Sequence, residues 1–380
     1  MSGGWVAVRR DDRGARACIS FKNTDKRTAT RVEGWQQGQH RGYDENCTSV
    51  STGVAALPLL TARFATYRVM LVGYADGKTW AAPPTPSPAP PRRPSAAPVA
   101  SAPRTVAGLV AIGGHRRIYL ECSGTGSPSV ILIAGKGNRA DTWSTLPPDV
   151  PGPTVFAATA QMTRVCAYDR PDTRGALASE PSRSDPVPLP VTAGAGARDL
   201  QALLTAGKVP TPYVLVGHSM GGLIARIFAS EHGDEVAGLV LEDSLSEGLY
   251  DHLTAEQRAV FEKINGAPES YDNVKSFEQV RAAPPVRTMP VVVLTAGMPQ
   301  LTAEVIASGE LPPEVTPAFA DALWAAQMQA QNALAALFPD GKHILVRNST
   351  HYIHIDRPKV VIDAIRDVVD AVRAGKNAVP

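Results

Sequence analysis

Between residues 105 and 375 the chain alternates short apolar, β-branched runs with longer stretches of helical periodicity, and no other feature restricts its fold as strongly. "VAGLVAI" and "RRIYLEC" flank Gly113-Gly114 and read as a hairpin. "SVILIAG", "RVCAYDR", "YVLVG", "VAGLVLED", "PVVVLTAG" and "HILVRNS" follow as strands. Helical segments separate them: "AGARDLQALLTAG" ending at Gly207, the stretch after Ser219, an insertion over 245–285, another over 315–337, and the closing "PKVVIDAIRDVVDAVRAG". In the last, Val360, Val361, Ala364, Ile365, Val368, Val369 and Val372 form one apolar stripe. Such alternation predicts an α/β fold, a mainly parallel sheet with helices on both faces. Ligands of such sheets bind at the carboxyl ends of the strands. No internal repeat is present.

The chain's 380 residues exceed the usual size of one domain. "APPTPSPAPPRRPSAAPVASAPR", residues 82–104, holds proline at a density that keeps the backbone extended, and reads as a linker. It divides a β-rich part, 1–81, from the α/β domain, 105–380. "ARACISFKN", "TATRVEG" and "FATYRVMLVGYADGKTW" are β-prone, and a small β-sandwich is expected there. Its single histidine, His40, sits in polar "QGQHRGYDEN" and reads as a solvated loop. No catalytic constellation stands in this part, so a structural role, or binding to an unidentified partner, is expected.

A hydrophobic content of 44%, a charged content of 19% and a net charge of +2 permit a sizeable core and select no partner class. No basic block with interleaved aromatics is present, which argues against nucleic acid. No run approaches the roughly 20 apolar residues of a membrane helix. The start, "MSGGWVAVRRDDRGARAC", lacks the apolar core of a signal peptide, which favours the cytoplasm unless a leader precedes it. Cys18, Cys47, Cys122 and Cys166 show no metal-binding spacing. Cys122 and Cys166 fall in or beside expected strands, and both a disulfide and two buried thiols suit them.

"YVLVGHSMGGLIARIFASEH", residues 213–232, changes period in its middle. A buried strand leads into Gly217-His218-Ser219-Met220-Gly221, and Leu223, Ile224, Ile227 and Phe228 then recur at helical spacing. This is G-x-S-x-G in the strand–turn–helix setting that makes its serine a nucleophile. A serine that merely caps the helix is the alternative. A nucleophilic serine needs a base, and the base needs an acid to fix its tautomer. "NSTHYIHIDRP" supplies His351, just past the last strand, as the expected base; His354 is the alternative, better suited to local packing. The loop after "PVVVLTAG" has no carboxylate before Glu304, whereas the preceding strand ends "VLEDSLSEG". Asp243 is therefore the expected acid; Glu242 points to the other face by alternation, and a capping role is the competing use of Asp243. Two backbone N–H groups must hold an oxyanion. Met220, after the nucleophile, and Lys136, in "AGKGNRADTW", are the candidates, with Gly137 close behind.

Together these residues resemble the α/β-hydrolase superfamily over about residues 105–375, in its chain order Ser219, Asp243, His351. "RVCAYDRPDT" and "NSTHYIHIDRPKVVIDAIRDVV" resemble a bacterial esterase- and lipase-like subgroup, although Asp172 stands where that subgroup often has glycine. The resemblance implies an active site under a helical cap, 245–285, an acid after the sixth strand instead of the commoner seventh, and no cofactor. The expected function is cleavage of a small carboxylic ester through a Ser-His-Asp triad. Amide or carbon–carbon hydrolysis, perhydrolysis, and a non-catalytic binding module remain as alternatives. Leu245, Leu249, Leu253, Val260 and Phe261 suggest an apolar substrate and equally suit packing against the sheet.

Overall fold

The computed structural model describes residues 106–147, 150–176, 180–264, 269–308 and 311–379, with shorter strand segments ahead of them. Those segments pair antiparallel: Ala7–Asp11 with Gly14–Ser20, and Gln39–Gly42, Ala29–Gln36, Tyr67–Tyr74 and Thr79–Ala81 in that spatial order. His40, expected in a loop, stands in a strand opposite Trp35, because the pairing with Ala29–Gln36 runs across it. The expected sandwich packing and the proline-rich segment 82–104 lie outside the described residues.

From residue 106 onward the strands form one sheet of eight. They are β1 (Val106–Gly113), β2 (Arg116–Ser123), β3 (Ser129–Ile133), β4 (Val165–Tyr168), β5 (Tyr213–His218), β6 (Val236–Glu242), β7 (Val291–Ala296) and β8 (Lys342–Val346). Their spatial order is β8-β7-β6-β5-β3-β4-β2-β1. β2 runs antiparallel to β1 and β4; every other neighbouring pair is parallel. β3 thus has β4 on one side and β5 on the other, and the chain leaves it in both directions. At that reversal the strand ends open a crevice.

Helices cover both faces: α1 (Val155–Met162), α2 (Ala193–Ala206), α3 (Met220–Glu231), α4 (Ala255–Ile264), α5 (Asn273–Ala282), α6 (Ala303–Ala307), α7 (Pro317–Ala336), α8 (Ile353–Asp356) and α9 (Pro358–Arg373). A strand covered twice must be apolar throughout, and every residue of β3, β4, β5 and β7 is buried. Alternation sorts them: Ile131 and Ile133 join the core under α2 and α3, while Val130 and Leu132 join the core under α1 and α9. Within the α9 stripe, Val361, Ala364, Ile365, Val368 and Val369 are buried and Val360 and Val372 partly so. The sequence did not reveal α1, whose "VFAATAQM" carries too few large apolar residues for a stripe; Thr154 Oγ1 caps it, accepting from Ala157 N–H at 3.2 Å.

Cys122 on β2 and Cys166 on β4 stand opposite each other in the antiparallel register and form a disulfide. The choice left open by spacing is decided by pairing. Asp172 adopts φ 60°, the left-handed conformation for which glycine is the usual residue and which aspartate tolerates. No helix among the described residues is long and apolar enough to cross a membrane.

Candidate active site

β5 ends at His218 and α3 begins at Met220, so one residue makes the reversal. Ser219 has φ 52° and ψ −123°, a positive-φ conformation that costs about 1–3 kcal/mol and is held by its surroundings. Its N–H donates to the Glu242 carbonyl at 3.1 Å, and its carbonyl accepts from Gly222 and Leu245 N–H, each at 2.9 Å. The neighbours must lack side chains. A Cβ on Gly217 would lie 2.7 Å from the Gly221 carbonyl oxygen, and one on Gly221 would collide with the Ile133 carbonyl. Met220 N–H, in the first turn of α3, has no intrahelical acceptor.

At the end of β6 the backbone turns at Asp243, φ 37°, and alternation sends two acids to opposite sides. Asp243 Oδ2 meets His351 Nδ1 at 2.6 Å, and Asp243 Oδ1 accepts from Ala296 N–H at 2.9 Å. An ionised carboxylate only accepts, so the proton of that pair sits on Nδ1 and Nε2 keeps a free electron pair. The two side chains are 17% and 14% exposed, enough to meet a substrate. Three ties hold the His351 loop: Thr350 N–H and Oγ1–H donate to Asp356 Oδ2 at 2.7 and 2.6 Å, Met298 N–H donates to the Ser349 carbonyl at 3.0 Å, and His218 Nε2 lies 2.9 Å from the His351 carbonyl.

Glu242 instead meets His354, whose Nδ1 and backbone N–H both lie 2.7 Å from Glu242 Oε1. His354 Nε2 bonds Thr142 Oγ1 at 3.0 Å. His218, Glu242 and His354 bring metal-type ligand atoms within 4.8 Å of one another, yet His354 engages both nitrogens in these bonds. The trio is a buried polar wedge behind the elbow. Glu304 stands at the start of α6, held by Thr302, and is not among the residues lining the cavity described next.

Ser219, Met220, Asp243, His351 and Lys136 line one cavity of about 250 Å³. Of the apolar residues singled out in the insertion, Leu245, Leu249 and Phe261 reach it, while Leu253 and Val260 pack in the core. α7 supplies much of the opposite wall through Leu323, Trp324, Gln327, Met328, Ala330 and Gln331. The sequence showed a helical stretch over 315–337 but gave these residues no role; their recurrence at three- and four-residue spacing marks one helix face without saying what it faces. Gly137 N–H donates to Glu269 Oε2 at 2.6 Å.

His218 is 1% exposed and its Nδ1 has no partner. Burial, reinforced by His351 and His354, pushes its pKa well below the ordinary value, so the ring is neutral and donates through Nε2. An unfolded His218 takes up a proton below about pH 6.5 and the folded one resists it. Stability is thus complete above that pH and falls beneath it, by up to about 1.4 kcal/mol per pH unit from this residue. Thermal melts of His218→Gln between pH 7.5 and 5 should show a slope shallower by one proton than wild type. The difference isolates His218 from His343, whose pKa burial also lowers. Parallel slopes refute the assignment.

The alpha/beta hydrolase family model matches residues 130–364. YqjL, an uncharacterized protein of Bacillus subtilis strain 168, is 26% identical over 259 residues, 64% of this chain and 85% of its own length. Protein phosphatase methylesterase 1 of Bos taurus is 29% identical over 164 residues, 42% of this chain and 38% of its own. Alpha/beta hydrolase domain-containing protein 10 from mouse superposes with a TM-score of 0.50 at 17% identity, covering 70% of this chain and 99% of that one. A thermophilic esterase from Thermogutta terrifontis gives a TM-score of 0.45 at 21% identity, over 71% and 99% of the two chains. At 17% identity the likeness to the mouse protein speaks for the fold alone.

Proposed function

The chain belongs to the alpha/beta hydrolase family, and from that premise we propose that it is a serine hydrolase cleaving small, uncharged carboxylic esters. One observation carries the proposal: His351 Nδ1 lies 2.6 Å from Asp243 Oδ2 on the wall of a cavity that Ser219 also lines. Ser219 Oγ attacks the ester carbonyl while His351 Nε2 takes the hydroxyl proton, and Asp243 stabilises the imidazolium. The oxyanion is held by the N–H groups of Met220 and Lys136. Collapse expels the alcohol, which leaves with the proton from His351. Water then attacks the acyl-Ser219 ester, again giving its proton to His351, and the acid departs as Oγ is reprotonated.

The wall chemistry supports a neutral, short substrate. Leu245, Leu249, Phe261, Ile264, Leu301 and Leu311 line the cavity, and apolar surface of this kind disfavours a charged substrate. The volume lies at or below the small end of ligand cavities, about 300–1,000 Å³. With p-nitrophenyl esters, kcat/KM should fall about tenfold or more from butyrate to decanoate. A fluorophosphonate should label folded protein at Ser219 alone, read by peptide mass. Folded protein that takes no label would refute the proposal and leave the binding-module alternative.

A further inference from the structure

Arg170 lies just past β4 and reaches beneath the loop that follows β3. Its Nη1 donates to the Ala134 carbonyl and its Nη2 to the Gly135 carbonyl, both at 2.7 Å. Its Nε and Nη2 also meet Glu269 Oε1 and Oε2 at 2.8 and 3.0 Å. Glu269 Oε2 in turn accepts the Gly137 N–H at 2.6 Å. The two side chains are 4% and 1% exposed. Ala134–Gly137 is thus gripped at three backbone atoms by a pair of residues from two other parts of the chain.

The grip fixes an orientation. The Gly135 carbonyl and the Lys136 N–H belong to a single planar, trans peptide group and point in opposite directions. Holding the carbonyl on Arg170 therefore aims the Lys136 N–H away from Arg170, and Lys136 lies on the cavity wall. The loop has little room to settle otherwise, since a Cβ on Gly135 would come 2.5 Å from His218 Nδ1. Stability alone is a weak reason for the pair, because desolvation of two buried charges offsets most of their attraction.

Resting on the serine-hydrolase proposal, we infer that Arg170 and Glu269 are positioning residues that aim the Lys136 N–H at the developing oxyanion. Glu269 lies between α4 and α5, 99 residues along the chain from Arg170.

The test uses the full chain, with rates divided by the fraction of molecules that take up fluorophosphonate. Glu269→Ala should lower kcat by about tenfold to a hundredfold with KM within about threefold, since a misaimed donor loses part of what a missing one does. It should weaken a trifluoromethyl ketone, which forms a tetrahedral oxyanion on the serine, by the same factor. Glu269→Gln keeps an acceptor for Gly137 N–H and should recover most of both losses. Arg170→Met/Glu269→Met removes both charges together and provides a folded variant if the single change destabilises; it should match Glu269→Ala. Folded variants that keep kcat and ketone affinity within about twofold of wild type would overturn the inference and leave the hydrolase proposal standing. A wild type that neither turns over esters nor takes the label would overturn both.

Discussion

Replacing Ser219 with alanine is expected to lower turnover of an activated ester by about 10⁴- to 10⁶-fold while the melting temperature stays within a few degrees of wild type. The loss follows from removing the atom proposed to attack, with no other hydroxyl taking its place on the elbow. The small thermal effect follows from what Ser219 does structurally: its side chain makes no capping bond to α3. The positive φ is borne by its backbone, which alanine shares, and the bonds to Glu242, Gly222 and Leu245 are all main-chain bonds. Initial rates on p-nitrophenyl acetate and a calorimetric melt check the two halves separately. Turnover within tenfold of wild type would mean that the chemistry occurs elsewhere, whatever the labelling result.

The second large effect belongs to Asp243→Asn, expected to lower kcat by about 10⁴-fold with KM little changed. The arithmetic of donors makes the case. Oδ1 accepts from the Ala296 N–H at 2.9 Å, so an asparagine must turn its oxygen that way or set two donors against each other. Its NH₂ then faces His351 Nδ1, 2.6 Å from the present Oδ2. Nδ1 becomes the acceptor, the ring proton moves to Nε2, and the nitrogen proposed to take the Ser219 proton has no electron pair left for it. The geometry persists and the base is lost. The kinetic readout is kcat/KM on the short ester together with the rate of fluorophosphonate labelling, which should fall in parallel. Labelling at the wild-type rate would remove Asp243 from the proposed triad.

Much of this was legible in the chain because it depends on local periodicity. A strand buried on both faces must be apolar along its whole length, so "SVILI" and "VVVLTA" announce themselves. The elbow is legible for a related reason: an abrupt change from strand to helix, flanked by glycines, leaves few conformations for Ser219. Alternation along β6 even separated Glu242 from Asp243, since neighbouring strand residues face opposite ways. α1 escaped because eight residues with only three large apolar side chains make no readable stripe.

The rest required the third dimension. The chain offers two acid–histidine combinations of the same residue types, Asp243 with His351 and Glu242 with His354, and only packing shows that one borders the cavity while the other is sealed behind it. Likewise "KGNRADTW" presents two adjacent amides at the expected oxyanion loop, and only the structure shows that the Gly137 N–H is taken by Glu269, more than 130 residues away in the chain. The layered α/β architecture and the sharp turn at Ser219 could be read from the chain, because they follow from near-neighbour sterics and from which faces must be apolar. Tertiary structure alone decided which acid meets which histidine, which amide is engaged, and that Cys122 bonds Cys166. Those outcomes depend on distances between segments remote along the chain, which no local pattern of side chains encodes.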